Sequence, residues 1–259
     1  MSRPRAQFRA LFSAAALIVA APLAACHAEP DDAVTAKPAP AKKPPAAANT
    51  PPPGPCTAKE DPLLTAPFVD NFDRADLGVS DWSSTSYGAY SIRNGRVCTA
   101  KPRNHPLWLK RKLPANVRVE FDAIPLTNNG DIKAELFGDG CGFDTTGNEY
   151  TSTAYVAVLG AHNNTEHWLA RLYEHGPEAR ITRLIAGGDS IADSKLVQGT
   201  TYKFELVRTD GKEVRFLVNG TLVHAMPDAQ PLAGEGHDHF AFDGWDAQVC
   251  FDKLTVTPL

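Results

Sequence analysis

The sequence has few features of a protein that binds nucleic acid or spans a membrane. Its 26 Lys and Arg residues are outnumbered by 30 Asp and Glu residues, and they form no basic cluster. Binding of nucleic acid, or attraction to an anionic membrane surface, depends on a positive patch of that kind. The apolar run of residues 10–21 is too short, and too soon followed by Pro22, for a membrane span. We therefore expect no nucleic-acid partner and no spanning helix.

Several motifs of common enzymes are also missing. The chain contains no phosphate-binding loop, no dinucleotide fingerprint and no nucleophile elbow. No stretch shows a long apolar stripe with a period of 3.6 residues, so no long helix is predicted. These absences exclude the enzyme classes that depend on such motifs and favour an all-β fold.

Cysteine is scarce, with five residues, and no two of them form a Cys-x-x-Cys pair. That spacing argues against a four-cysteine zinc site. Apart from Cys26, the even number of cysteines in an exported protein predicts two disulfides, although the sequence leaves all three pairings open. The four cysteines are Cys56, Cys98, Cys141 and Cys250.

The N-terminus has the composition of an export signal. Three arginines precede the apolar run, and Leu-Ala-Ala before Cys26 resembles the lipobox of bacterial lipoproteins, whose cysteine is lipidated after cleavage. An ordinary secretory signal cut at an Ala-x-Ala-like site is the alternative. His27 stands where an Asp often signals inner-membrane retention, so we predict a lipid-anchored protein of the bacterial cell envelope, in the outer membrane. The membrane would be contacted through the N-terminal lipid only.

A tether is predicted after Cys26. Residues 27–55 are almost entirely Ala, Pro, Lys and Thr, a composition that cannot bury enough apolar surface to fold. The predicted organisation is therefore a signal peptide at 1–25, a lipidated cysteine and disordered tether at 26–61, and one folded domain at 62–259.

Residues 201–226 give the clearest structural signal in the chain. Apolar side chains recur at every second position, which predicts three antiparallel strands with one face on a core and Lys203, Glu205, Glu213 and Arg215 on the other. Asp210-Gly211 and Asn219-Gly220 are each predicted to form a type I′ turn, which needs two positive φ angles.

The remaining domain reads as short strands separated by Gly, Asn and Asp. This pattern predicts an all-β fold, a two-sheet antiparallel β-sandwich. The other predicted strands are residues 67–74, 87–93, 96–101, 106–112, 116–125, 131–137, 152–161, 166–175, 179–186, 238–243 and 247–258.

Three motifs together resemble the concanavalin A-like lectins and glucanases, which are jelly rolls. They are the central meander with its exposed Asn-Gly turn, the opening Phe-Val-Asp-Asn-Phe-Asp-Arg of residues 68–74 with Trp82 after it, and the closing residues 249–256. The resemblance covers about residues 67–259 and implies that the first and last strands lie close together. It also implies carbohydrate as a partner.

Laminarinase-type glucanases of this superfamily carry Glu-x-Asp-x-x-Glu, with the glutamates as nucleophile and general acid. Residues 120–125 match through Glu120 and Asp122 but end in Pro125, which cannot donate a proton. The resemblance gives no warrant for Glu135 as a substitute partner, so no catalytic residue is assigned.

Strand phase predicts which residues lie away from the core. On the strands at 116–125, 131–137 and 166–175, the polar alternate positions face outward, with Trp168, Ala170 and Leu172 inward. If the three strands share a concave sheet, these positions form a groove; otherwise they are the solvated side of a convex sheet. Adding His239 and Trp245 from near the last strands, the predicted ligand-binding residues are Glu120, Asp122, Lys133, Glu135, Arg171, Tyr173, His175, His239 and Trp245.

No metal or cofactor is assigned, with calcium as the one candidate. Residues 138–144 are rich in Asp and Gly but lack the ligand order of an EF-hand. His237 and His239 would share a strand face with Asp243, yet no spacing fixes a third ligand.

The first functional hypothesis is a non-catalytic, lectin-like carbohydrate-binding domain on an envelope lipoprotein. The second is a glycoside hydrolase acting on polysaccharide. The third is a structural or protein-interaction module of the envelope.

Overall fold

The predicted central meander is present as three consecutive strands, β13, β14 and β15. The computed structural model describes Cys56 and residues 60–144, 149–150, 152–175 and 180–259. Asn219 and Gly220 have φ angles of 51° and 77°, as a type I′ turn requires. The same prediction for Asp210-Gly211 is wrong, because only Gly211 has a positive φ. There the Asp210 carboxylate accepts hydrogen bonds from the backbone N–H groups of Lys212 and Glu213.

The described residues form strands and two short helical turns, a 3-10 turn at Tyr87–Ala89 and α1 at Ala161–Asn164. Most observed strands overlap predicted ones, because turn residues mark their ends, but the short strands Trp82–Ser83, Phe143–Asp144 and Glu149–Tyr150 were not predicted and the first half of the predicted strand 87–93 is the 3-10 turn. The strands are β1 Phe68–Asp70, β2 Trp82–Ser83, β3 Tyr90–Ile92, β4 Val97–Thr99, β5 Leu107–Leu109, β6 Val117–Pro125, β7 Ile132–Gly138, β8 Phe143–Asp144, β9 Glu149–Tyr150, β10 Ala154–Gly160, β11 Glu166–Leu172, β12 Arg180–Leu184, β13 Tyr202–Arg208, β14 Glu213–Val218, β15 Thr221–Pro227, β16 His239–Asp243 and β17 Val249–Pro258.

Two antiparallel sheets form a sandwich, and this confirms the predicted fold class. One sheet has eight strands, in the order β15-β14-β13-β6-β17-β4-β3, with β1 paired to β17. The other has seven, in the order β12-β11-β10-β7-β16-β5-β2, and β8 pairs with β9 alone. Each sheet combines consecutive strands, such as β13 to β15 and β10 to β12, with neighbours that are far apart in sequence, such as β6 with β17 and β7 with β16, as in a jelly roll.

Aromatic side chains fill the space between the sheets. Phe121 of β6 stacks on Phe204 at 4.9 Å between ring centroids and meets Phe242 of the facing sheet edge-on at 5.1 Å. Phe242 in turn stacks on Phe251 at 4.3 Å. Such pairs add about 0.5–1.5 kcal/mol each beyond the apolar area that they bury. Phe121 and Phe204, which alternation predicted to face inward, therefore lie in the core between the two sheets.

The ends of the domain are joined by pairing and by two disulfides. Phe68 of β1 lies opposite Val256 of β17, so the first and last strands are adjacent as the resemblance implied. The two predicted disulfides are confirmed, and their pairing is Cys56–Cys141 and Cys98–Cys250. The second joins β4 to β17 and closes a loop of 152 residues, so it constrains the unfolded chain strongly.

The predicted signal peptide, the lipidation site at Cys26 and most of the tether lie outside the described residues. Among the residues that are described, no helix has the length and apolar character needed to cross a membrane.

Two adjacent residues of β13 test the assignment of faces. Phe204 is fully buried and Lys203 is exposed. We expect Phe204→Ala to lower the free energy of unfolding by about 3–5 kcal/mol through the cavity it leaves, and Lys203→Ala to change it by less than about 0.5 kcal/mol. Urea unfolding of both variants measures this difference, and equal effects would contradict the assignment.

Candidate functional site

The outer face of the seven-stranded sheet carries one row of aligned side chains. In the strand registers, Asp243 of β16 pairs with Lys133 of β7, Lys133 with Val158 of β10, and Val158 with Trp168 of β11. Paired residues point to the same side of a sheet. The row therefore places an acid, a cation and an indole side by side, facing away from the main core.

Lys133 is fully buried in this row and surrounded by acceptors. Its ammonium group donates to Asn104 Oδ1 at 2.7 Å and to Glu174 Oε2 at 2.9 Å, and lies 3.7 Å from Asp243 Oδ2. Burial alone would lower the pKa of Lys133, but the surrounding carboxylates of Glu174, Asp131 and Asp243 outweigh burial and raise it. Lys133 is thus a permanent cation whose role is to hold neighbouring groups in place.

Two of the carboxyl groups around Lys133, those of Asp243 and Asp131, have a raised pKa and so hold protons more readily than isolated ones. Burial raises the pKa of Asp243 to about 7, opposed by the nearby Lys133 charge. Burial also raises the pKa of Asp131, and Lys133 again opposes this. The Asp243 carboxyl group, a member of the row, can therefore exchange a proton near neutral pH.

A cavity of about 580 Å³ opens above Lys133. Its volume lies within the range of about 300–1,000 Å³ typical of small-molecule sites. Polar groups and two indoles share its wall. The lining residues are Asn104, Asn129, Asp131, Lys133, Ala161, His162, Asn163, Trp168, Glu174, His175, Trp245, Asp246 and Ala247.

The two tryptophans of the cavity differ in exposure. Trp168 is 1% exposed and forms part of the inner wall, with His162 edge-on at 4.6 Å and the Arg180 guanidinium 4.1 Å from its ring centroid. Trp245 is 38% exposed, and Arg103 lies over its ring at 4.7 Å. Trp245 therefore presents an accessible aromatic surface at the cavity.

The cavity wall is built from loops in unusual backbone conformations. Four lining residues have positive φ, namely Asn104, Asp131, His162 and Asn163. The loops before β7 and after β10 touch through glycines, because a Cβ on Gly130 would lie 2.1 Å from the Gly160 carbonyl oxygen. The same carbonyl accepts the Asp131 N–H at 2.9 Å. Left-handed residues outside glycine are uncommon, and their clustering here is typical of a functional site.

The predicted phase of β11 is wrong. Trp168 and Ala170 face outward, where they form a second apolar cluster with Val156 and Val158, while Leu169 packs into the main core. Both faces of β10 and β11 are buried, one by the core and the other by loops. Alternation between apolar and polar residues therefore carried no signal for these strands.

That shift of phase moves two predicted binding residues to the other side. Arg171 forms an ion pair with Asp228 at the end of β15, at 2.5 Å, instead of facing the cavity. Tyr173 is partly buried and packs against the main core. Leu172, predicted inward, does pack into the core, with a φ of 69°.

Glu120 and Asp122 do not share the face of Lys133, contrary to the expected single groove. Their strand, β6, belongs to the eight-stranded sheet, so both acids lie on the opposite outer face of the sandwich. Asp122 is held there by Lys253 at 2.7 Å. Neither residue lines the cavity.

The other five predicted residues lie on or beside the seven-stranded sheet. Lys133, His175 and Trp245 line the cavity together. Glu135 lies on the same strand as Lys133, but it is fully buried and accepts a hydrogen bond from the Ser152 hydroxyl at 2.7 Å. His239 lines a separate cavity of about 240 Å³, where its Nε2 lies 3.2 Å from Asp61 Oδ2.

The glycine-rich segment proposed for calcium is stabilised by internal bonds. The Asp139 carboxylate accepts hydrogen bonds from the Cys141 N–H and from the N–H and hydroxyl of Thr153, at 2.6–3.0 Å. Within the described part of the chain, no three His, Cys, Asp or Glu residues are grouped to hold a metal ion. A calcium requirement stays a prediction.

Sequence reasoning missed several cavity residues. Asn104 and Asp246 lie in connections between strands, where the sequence gives no phase. Glu174 fell within the predicted strand 166–175 at an inward position, but β11 ends at Leu172 and Glu174 lines the cavity. Asp131 was placed on the outer face but not selected, although its position before β7 is a signal that could have identified it. Trp168 was assigned to the core because it is apolar.

Structural comparison shows the fold and no family. No protein-family model and no curated protein matches the sequence. An alginate lyase is 11% identical with a TM-score of 0.51, covering 75% of this chain and 97% of that one. The carbohydrate-binding module CBM66 from Bacillus subtilis is 12% identical with a TM-score of 0.50, covering 70% and 97%. The β-glucanase of Bacillus licheniformis is 10% identical with a TM-score of 0.50, covering 75% and 99%.

These similarities confirm a jelly-roll sandwich. At such low identity they show the fold alone.

His167, behind the cavity wall, makes the domain sensitive to acid. Burial lowers its pKa to about 4, and its Nδ1 accepts the Gly160 N–H at 3.0 Å, so the ring is neutral. An unfolded histidine has a pKa of about 6.5, so the unfolded chain binds more protons between the two values. We expect the free energy of unfolding to fall as the pH decreases from about 6.5 to about 4. Below about pH 4, His167 is protonated in both states and contributes no further decrease.

The variant His167→Asn, which keeps an acceptor for Gly160, should show a shallower pH dependence in urea unfolding. The exposed His175→Asn is the matched control and should leave the pH dependence unchanged. An undiminished slope in His167→Asn would contradict this role.

Proposed function

We propose that the domain binds carbohydrate, without catalysis, in the cavity above Lys133. The observation that carries the proposal is the combination of an accessible indole with carboxylates and amides around one cavity on the outer face of a sheet. Sugars present both an apolar C–H face and many hydroxyl groups. Binding sites for small ligands meet such needs with aromatic walls and a few fixed polar groups.

The polar groups are suitable acceptors for sugar hydroxyls. Asn104 is fixed by its bond to Lys133, and Asp131 Oδ2 accepts a hydrogen bond from the backbone N–H of Trp245 at 2.7 Å. This bond holds the backbone of Trp245 next to the Asp131 carboxylate in the cavity. Pre-organised groups lose little conformational entropy on binding, which favours affinity.

The similar structures support carbohydrate as the partner, and they include both a binding module and enzymes. One is a carbohydrate-binding module, one a β-glucanase and one an alginate lyase. The fold alone does not specify function. We therefore base carbohydrate binding by this chain on the indole, carboxylates and amides of its cavity.

Trp245→Ala should weaken binding of the polysaccharide that the protein recognises by up to about tenfold, because an aromatic contact contributes about 0.5–1.5 kcal/mol. Affinity electrophoresis of the full-length chain in detergent against a panel of soluble polysaccharides, with and without calcium, identifies the ligand. Calorimetry then measures the variant. Leu222→Ala is a control of equal exposure (39% against 38%) on the other sheet, and it should bind normally.

No binding to any polysaccharide, together with a co-purifying envelope protein, would overturn the proposal and favour the interaction-module hypothesis.

Hydrolysis of a polysaccharide is the second candidate. The raised pKa values of Asp131 and Asp243 favour it, since a general acid must hold a proton near the working pH. Release of reducing ends that Asp131→Asn abolishes would establish it. Glu120→Gln, on the opposite sheet, serves as the control.

We also propose that the chain is a lipoprotein of the bacterial envelope, anchored in the outer membrane through Cys26. The support is the charged and apolar N-terminal segment before Leu-Ala-Ala-Cys and the proline-rich stretch after it. A tether of that composition would let the cavity reach glycans at a distance from the membrane.

Cys26→Ser should abolish incorporation of labelled palmitate in bacteria and move the protein from the membrane fraction to the soluble fraction. Cells expressing the unaltered chain provide the reference. Equal labelling of both proteins would contradict the assignment.

A further inference from the structure

We infer that the cavity selects a sugar with a free, positively charged amino group over neutral sugars and over uronic acids. This inference rests on the proposed carbohydrate binding and adds the class of sugar. It depends on which charges in the cavity are already engaged and which remain to face a ligand.

The cation of the cavity is already paired with carboxylates of the protein. Among the described lining residues, Lys133 is the only Lys or Arg. Two of its three N–H donors bond to Asn104 and Glu174 at 2.7 and 2.9 Å, and the Asp243 carboxylate lies 3.7 Å away, beyond hydrogen-bond distance. The buried ammonium is thus balanced by two protein carboxylates, which leaves little positive charge to attract the carboxylate of a uronic acid.

Acidic groups outnumber that cation on the cavity wall. Asp131, Glu174 and Asp246 line the cavity, and Asp243 lies just below it against Lys133. Asp246 is paired with Arg103 and Lys101 at 2.9 and 3.9 Å, and Glu174 is paired with Lys133 at 2.9 Å. Among the described residues, none forms an ion pair within 4 Å of the third lining carboxylate, Asp131. Its negative charge is partly shielded from water, where its attraction for a cation is stronger than at an open surface.

The cations behind the wall are paired or stacked. Arg103 forms an ion pair with Asp246 at 2.9 Å while it covers one side of the Trp245 ring. Arg180 lies over Trp168 and donates to the Glu174 backbone carbonyl at 3.5 Å. Neither arginine lines the cavity, so a ligand inside meets carboxylates first.

The titration of Asp131 agrees with this reading. Burial raises the pKa of Asp131 most, Lys133 opposes the shift, and Glu174 raises the pKa further. An ammonium ligand would add positive charge beside the ionised carboxylate. It would form charge-assisted hydrogen bonds, which are about twice as strong as neutral ones.

Matched oligosaccharides test the inference. A β-1,4-linked glucosamine oligomer and a glucose oligomer of equal length and linkage differ only at C2, where an amine replaces a hydroxyl. Calorimetry with the full-length chain at neutral pH should show the amine-bearing oligomer binding about tenfold tighter or more, the ratio that one charge-assisted bond supplies. An N-acetylated oligomer should bind like the neutral one, and a mannuronate oligomer should bind weakest. Raising the pH above the pKa of the sugar amine should remove the preference.

Two isosteric variants assign the preference to this cavity. Asp131→Asn keeps an acceptor for the backbone N–H of Trp245, and Glu174→Gln keeps one for Lys133. Each should reduce the ratio of the affinity for the glucosamine oligomer to that for the glucose oligomer. Glu213→Gln removes an exposed charge from β14 in the other sheet and should leave the ratio unchanged.

Equal affinity for the amine and hydroxyl oligomers, or tighter binding of the uronate, would overturn the inference and leave carbohydrate binding intact. Amine binding that survives Trp245→Ala and both isosteric variants would show non-specific attraction to an acidic protein and would also overturn it. Failure of every oligomer and polysaccharide to bind would overturn the proposed function itself.

Discussion

The buried ammonium of Lys133 is the constraint around which the candidate site is organised. A charge removed from water in this way is tolerated only with close partners of opposite sign, and removing one partner of such a pair costs about 3–5 kcal/mol. The partners come from separate parts of the chain: Asn104 before β5, Glu174 after β11 and Asp243 at the end of β16. One side chain near the start of β7 thereby contacts segments that are distant in sequence and holds them together above the sheet.

The loops around Lys133 adopt strained backbone conformations. Asn104 and Asp131 occupy left-handed conformations, and the contact between Gly130 and Gly160 leaves no room for a side chain. The sandwich can hold such loops because its core is independent of them, with Phe121 and Phe242 packed between the sheets. The two packed sheets thus support strained loops at the cavity, and binding residues commonly lie on loops that a rigid scaffold positions.

The sequence predicted the sandwich well and the site only in part, for one physical reason. Where a strand has one face in water, as β13 does at Lys203 and Phe204, alternation reports its orientation directly. Where loops cover the outer face, as over β10 and β11, Trp168 and Leu169 are both buried and alternation is lost. Sheet membership is also invisible to periodicity, so Glu120 was grouped with Lys133 although the two strands belong to opposite sheets.

The location of the ligand surface on the seven-stranded sheet is the central claim, and the indole N–H signals of the four tryptophans test it most directly. In a nitrogen-15 NMR titration with the glucosamine oligomer, the signals of Trp168 and Trp245 should shift, while that of Trp82, buried in the core and bonded to Asp70, should stay in place. Unmoved indole signals, accompanied by shifts of backbone amides around Glu120 and Asp122 on the opposite sheet, would contradict the account.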